Sequence, residues 1–162
     1  MKDKNLNNGT TNEIYTFPIS YAQQRLWFLH QLDPDAHAYN IPAAFRLNGP
    51  VNAAALEKSV QEVVRRHEIL RTTFSLLDGE PKQIVAAGGL AGMSIVDLGS
   101  LPEPEREDEL RRRVAEETKR CFDLEKGPLF QVSLLLIDDE ESVLIISMLH
   151  IVPMMSITQL HT

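Results

Sequence analysis

Two places in this chain hold the residue types that do chemistry. The first is Arg66-His67-Glu68-Ile69-Leu70-Arg71-Thr72-Thr73-Phe74. Two arginines, an imidazole and a carboxylate alternate there with Leu70 and Phe74 at the end of a helical run. Such a segment either closes a helix on a solvated face or builds a buried polar network; the residues alone favour the solvated face. The second is His150, which ends the apolar run from Val143 to Leu149. A neutral imidazole there can orient or take a proton. A lone histidine at a strand end is, by itself, more often a hydrogen-bonded core or edge residue. His30, His37 and His161 show no metal-ligand spacing, so no metal site is expected. Cys121 is the only cysteine. It can form no internal disulfide. Beside Phe122 it reads as a small core residue rather than a nucleophile.

The elements that must position these groups follow from patterning. Ser20 followed by Gln23 forms a capping box, so a helix starts there. Ala22, Leu26 and Leu29 give it an apolar stripe, and Asp33-Pro34-Asp35 ends it. Ala43 to Leu47 suits a strand. Asn52 caps a second helix running to His67, with Leu56, Val60, Val63 and Val64 inward. Thr72 to Leu76, the turn Asp78-Gly79, and Lys82 to Ala86 read as a hairpin. Ser94 to Asp97 is a short strand. Glu105 to Arg120 is a charged helix with Leu110 and Val114 inward. Leu129 to Ile137 and Val143 to His150 are apolar strands joined across Asp138 to Glu141. Residues 1–15 read as a disordered polar lead. The rest predicts one α/β unit, a two-layer sandwich whose mixed, largely antiparallel sheet carries packed helices.

Composition narrows the partners. The formal net charge is −7, which argues against general nucleic-acid or anionic-membrane binding. No apolar run reaches membrane-spanning length. Met1-Lys2-Asp3-Lys4-Asn5 leads into polar residues and is not read as a signal peptide. A cytoplasmic location is therefore expected.

The first stretch also resembles the RHExLRTxF motif of condensation domains from nonribosomal peptide synthetases. Ser20-Tyr21-Ala22-Gln23-Gln24-Arg25-Leu26-Trp27-Phe28-Leu29 is similar to the family's SxAQxRLWxL. Phe122-Asp123-Leu124 with Gly127-Pro128-Leu129 is similar to its FDLxxGPLxR. The order and spacing agree, and the resemblance covers Thr16 to His150. It implies the N-terminal lobe of a chloramphenicol-acetyltransferase-like pair, residues 16–162, cut short at its C-terminal end and lacking the second lobe. It implies amide-bond formation between acyl and aminoacyl groups held on the phosphopantetheine arms of carrier domains, with no cofactor bound by the lobe itself. Ser20, Gln23, Arg25, Arg66, His67, Glu68 and Arg71 are then motif residues with structural roles, and His67 packs rather than reacts.

The family's HHxxxDG loop falls where this chain reads Met148-Leu149-His150-Ile151-Val152-Pro153-Met154-Met155-Ser156. With His150 on the second histidine, Leu149 stands on the first, Met154 on the aspartate and Met155 on the glycine. One residue is then lacking before Ser156, since Ser156 and Leu160 sit one place early. Aligning from Ser156 instead removes both histidines and restores no aspartate. Gln131 stands where the family has arginine. His150 is thus the one catalytic candidate, in a degenerate motif. Arg66 and Arg71 are the arginines that the lost aspartate would strand. Such a chain is expected to be inactive alone, whether by gene damage or by a frame disturbance between His150 and Ser156. Other acyltransferases of the superfamily, an epimerisation domain and a non-catalytic interaction module remain alternatives.

Overall fold

The computed structural model describes residues 14–34, 37–88 and 92–153. The Ser20 hydroxyl accepts from the Gln23 N–H at 3.3 Å, and the Gln23 side chain accepts from the Ser20 N–H at 2.8 Å. This is the expected capping box, and it starts α1, Tyr21–Leu32. Before it lies β1, Tyr15–Pro18, a strand the sequence reading does not contain. Tyr15, counted there with the polar lead, is its first residue; residues 1–13 lie outside the described part.

A 3-10 turn at His37–Tyr39 leads into β2, Asn40–Asn48, longer than expected. Asn52 caps α2, Ala53–Arg66, through its side chain and the Ala55 N–H at 3.0 Å. A second 3-10 turn, Glu68–Arg71, opens β3, Thr72–Leu77. Asp78 and Gly79 turn the chain with φ of 54° and 80°, and β4, Glu80–Val85, returns. Positive φ at both central residues matches the twist of a two-residue hairpin, which is why glycine serves there. Then come β5, Met93–Asp97, α3, Glu103–Thr118, β6, Phe130–Leu136, and β7, Glu141–Leu149.

The strands form two sheets rather than one. β1-β4-β3 is antiparallel throughout, and β2-β7-β6-β5 is mixed, with β5 parallel to β6. The parallel pair requires a crossover, and α3 supplies it. The expected layering of helices on a largely antiparallel sheet is present. Within it, α2 and α3 cover opposite faces of the four-stranded sheet. Val64 of α2 packs with Val132 and Leu134, while Leu110 of α3 packs with Leu135 and Ile145. Val63, expected inward, is 45% exposed because Val64 takes the position facing the sheet.

The charged run of α3 is a solvated ladder. Arg113 reaches Glu109 at 2.8 Å, and Arg111 reaches Glu107 at 3.2 Å. The Arg112 and then the Arg113 guanidinium hold the Glu109 carboxyl down at about 2. The last turn is different. Glu117 is turned to the sheet, where the Ser133 hydroxyl donates to it at 3.1 Å and Arg120 pairs with it at 2.8 Å. The Ser147 hydroxyl donates to the Glu117 carbonyl at 3.3 Å.

Chiefly through Arg120, and against the opposing effect of burial, the Glu117 carboxyl is held below the usual carboxylate range. A depressed folded-state value contributes stability above the ordinary glutamate value of about 4.3, and that stability is lost as pH falls through the folded value. Glu117→Gln should therefore unfold at lower urea than the parent at neutral pH, and the gap should close in acid. Paired urea titrations at the two pH values measure it; a gap that persists in acid would assign the loss to packing instead.

Candidate functional site

β7 ends in an alternation that sets the site. Leu149 is buried, His150 is exposed, and Ile151 and Val152 are buried again. The Val152 N–H donates to the Leu149 carbonyl at 2.9 Å, closing a turn around His150. Two further bonds fix the strand end. The Leu149 N–H donates to the Leu129 carbonyl at 3.0 Å, and the His150 N–H donates to the Tyr39 carbonyl at 2.8 Å. The imidazole opens on a cleft of about 410 Å³, lined also by Ala22, Arg25, Leu26 and Leu29 of α1 and by Ala38, Tyr39 and Asn40. The wall is largely apolar. Arg25 is its charged group and His150 and Tyr39 its titratable ones, and Arg25 makes no ion pair or hydrogen bond among the described residues.

The three motifs meet beneath this cleft. Phe74, Phe122, Leu124 and Leu129 share one cluster with Leu149, Ile151 and Val152. Leu26, Trp27, Ile69 and Leu70 pack against it. The Phe74 N–H donates to the Leu124 carbonyl at 2.7 Å, tying the second motif to the third. Gly127 has φ of 59°, and a Cβ there would lie 2.8 Å from the Thr73 methyl, so the glycine admits the close approach of the two motifs. Gln131 is partly buried, and among the described residues its amide reaches only the Val132 carbonyl, at 3.5 Å.

The polar motif residues separate sharply. Gln23 is buried, and its side-chain oxygen also accepts from Gln83 at 3.1 Å, a partner in β4 that the sequence reading missed. Gln83 in turn donates to the Pro18 carbonyl at 3.0 Å, joining α1 to the three-stranded sheet. Arg66 is not buried: it is 68% exposed and pairs with Glu62 at 2.7 Å. Its neighbour Arg65, and then Arg66, hold the Glu62 carboxyl at about 2. His67 does not pack; it ends α2 and faces solvent. Glu68 is half-exposed, and the Thr72 hydroxyl donates to its carbonyl at 2.8 Å. Cys121 is exposed, not a core residue, because Phe122 takes the inward position beside it.

Arg71 alone of the two candidate arginines is largely withdrawn from solvent, with 11% of its side chain exposed. It donates to the Ala86 carbonyl and lies 3.4 Å from the Glu68 carboxylate. Its Nε has no partner among the described residues. Met154, Met155, Ser156 and Leu160 lie outside the described residues. Among the described residues no cluster of His, Cys, Asp or Glu could hold a metal ion, and no helix is long and apolar enough to cross a membrane.

Comparison with known proteins bears on this arrangement. The Condensation domain family model matches residues 13–153. A linear gramicidin synthase protein of Brevibacillus parabrevis is 44% identical over 135 residues, covering 83% of this chain and 3% of that protein. The crystallised starter condensation domain of rhizomide synthetase RzmA superposes with a TM-score of 0.73 at 26% identity, covering 84% of this chain and 34% of that one. A variant of that domain in complex with C8-CoA superposes at 0.72 with 25% identity, covering 84% of this chain and 31% of its own. The chain thus spans about a third of the solved domains it matches and a few hundredths of the synthase. The motif order, the shared core and the family match together show that this chain belongs to the condensation-domain family of nonribosomal peptide synthetases.

Proposed function

We propose that this chain forms the N-terminal lobe of a condensation domain whose whole joins a donor acyl group to an acceptor amine, with His150 as the group beside the reacting atoms. The observation that carries the reading is the exposed imidazole opening on the α1 cleft. In the reaction the amine nitrogen attacks a thioester carbonyl and the carbon–sulfur bond breaks. The amine gives up one proton, and the departing sulfur ends as a thiol. A neutral imidazole is suited to orient the amine or carry that proton. Leu149 points into the apolar cluster, so the place of the motif's first histidine faces the core and not the cleft.

The substrates in this reading arrive as thioesters on phosphopantetheine arms, which makes carrier domains and a second lobe the partners and the cytoplasm the place of work. The C8-CoA complex of the RzmA variant supports it, because coenzyme A ends in the same pantetheine arm. One observation favours a second reading. Arg71 is largely withdrawn from solvent beside one carboxylate among the described residues, the half-exposed Glu68. In the preferred alignment the carboxylate that should face it is Met154. A lobe kept for interaction after its chemistry was lost fits this.

Chain alone, given carrier-bound donor and acceptor, should form no amide by mass spectrometry. Joined to the rest of a relative's domain, with Leu149→His, Met154→Asp, Met155→Gly and one residue added before Ser156, it should form product. His150→Ala in that protein should then cost about 10²–10⁴-fold in rate. A joined protein that works equally well without the imidazole would remove His150 from the chemistry. A repaired protein that stays inactive while correctly folded would favour the interaction module.

The arginines give a separate expectation. Arg71→Ala should lower stability by about 1–3 kcal/mol, because it deprives the part-buried Ala86 carbonyl of its donor and leaves a void. Arg66→Ala, exposed on the last turn of α2, should leave the urea midpoint near that of the parent. Equal losses would contradict the burial assigned to Arg71.

A further inference from the structure

Both walls of the His150 cleft end on one short loop. His30, in α1 next to the cleft-lining Leu29, donates through Nε2 to the Phe122 carbonyl at 2.9 Å. A carbonyl only accepts, so Nε2 carries the proton. Asn40, on the β2 wall, donates through its side-chain amide to the Arg120 carbonyl at 2.7 Å and to the Thr118 carbonyl at 3.3 Å. These carbonyls sit at and just beyond the end of α3, where the last helical turn leaves acceptors unsatisfied. Phe122 itself is buried in the motif cluster, so the loop is anchored in the core.

We propose that Asn40 and His30 are positioning residues that brace the cleft against the loop at 120–122, and that Asn40 thereby sets the place of the His150 imidazole. The inference rests on the reading of His150 as the group beside the reacting atoms. Its physical chain is short. Asn40 stands opposite Leu149 in the β2–β7 register, and the carbonyl of its neighbour Tyr39 receives the His150 N–H at 2.8 Å. Fixing the Asn40 side chain therefore fixes the backbone that holds His150. His30 fixes the opposite wall, from which Leu26 and Leu29 face the same cleft. The Asn40 Oδ1 and His30 Nδ1 are both buried without a partner among the described residues. Each side chain is thus held by its donor bonds, and losing one leaves nothing local to replace it. Neither partnership was visible in the sequence, because each spans some eighty to ninety residues.

The test needs no activity. The chain carries five histidines, and His150→Gln assigns the ring signals of His150 in a ¹³C-labelled sample. Asn40→Ala should move the His150 ring signals and their titration, and His30→Ala should move the same signals from the opposite wall. The His67 signals, on the far end of α2, should stay within a line width. A role that is only structural would lower the urea midpoint and leave the His150 titration where it was; that outcome overturns the proposal. Should Asn40→Ala fail to fold, hydrogen exchange on the parent chain decides. The Asn40 side-chain amide and the His150 N–H should both be protected, and exchange as fast as that of the exposed Gln24 side chain would refute the brace. His150→Ala in the joined, repaired domain reads the imidazole's chemistry separately, so failure of the brace and failure of the catalytic reading are told apart.

Discussion

One apolar cluster determines where everything else in this chain can stand. Phe74, Phe122, Leu124, Leu129, Leu149, Ile151 and Val152 are each less than a tenth exposed. Fully burying a side chain of this kind contributes roughly 1.5–3 kcal/mol. The cluster draws its members from segments far apart along the chain, so it can form only when β3, the loop after α3, and the end of β7 are all in place. The motifs that resemble the family are in large part this cluster written out in sequence order. Leu70 and Phe74 are the packing half of the second motif, and Phe122, Leu124 and Leu129 are the packing half of the third. Their polar neighbours are left for the surface or for bonds to backbone.

A second, polar layer of order lies on top of that cluster. The end of α3 meets the sheet through hydroxyls and amides rather than through leucines: Ser133 and Ser147 bond to Glu117, and Asn40 reaches past the helix end. Ser94 extends the line by donating to Ser133 at 2.7 Å. Apolar contacts are tolerant of small shifts, whereas a hydrogen bond weakens steeply as its geometry departs from linear. The apolar cluster thus brings the segments together, and the polar seam fixes their register. The strand end that carries His150 lies where the two layers meet.

What could be read in the sequence was what local chemistry decides. The Ser20 and Gln23 box, the Asn52 cap and the Asp78-Gly79 turn involve residues three or fewer apart, and all three are present as expected. The family resemblance added the fold. What escaped was decided by distant partners. β1 is four residues long and exists because Tyr15 to Pro18 lie along Val85 to Lys82. β2 begins three residues early and admits Pro42, which an edge strand can do because one side of it needs no ladder bond. Arg66 and Arg71 look alike in the motif, yet a helix end turns the first to solvent and the 3-10 turn after it brings the second inward. Gln83 and Asn40 carry no sequence signal, since their partners are some sixty to eighty residues away.

The burial pattern at the end of β7 explains why His150 is presented outward. β7 ends at Leu149, and the turn closed by the Val152 N–H and the Leu149 carbonyl carries the chain past His150 with Leu149, Ile151 and Val152 all inward. Leu149 and Ile151 are held in the cluster from either side of His150, and burying the imidazole in their place would expose both. The outward direction of His150 is therefore enforced by its apolar neighbours. The turn that presents His150 is thus held by the Leu129 and Tyr39 carbonyls, which accept from the Leu149 and His150 N–H groups, and by the cluster that buries Leu149 and Ile151 on either side.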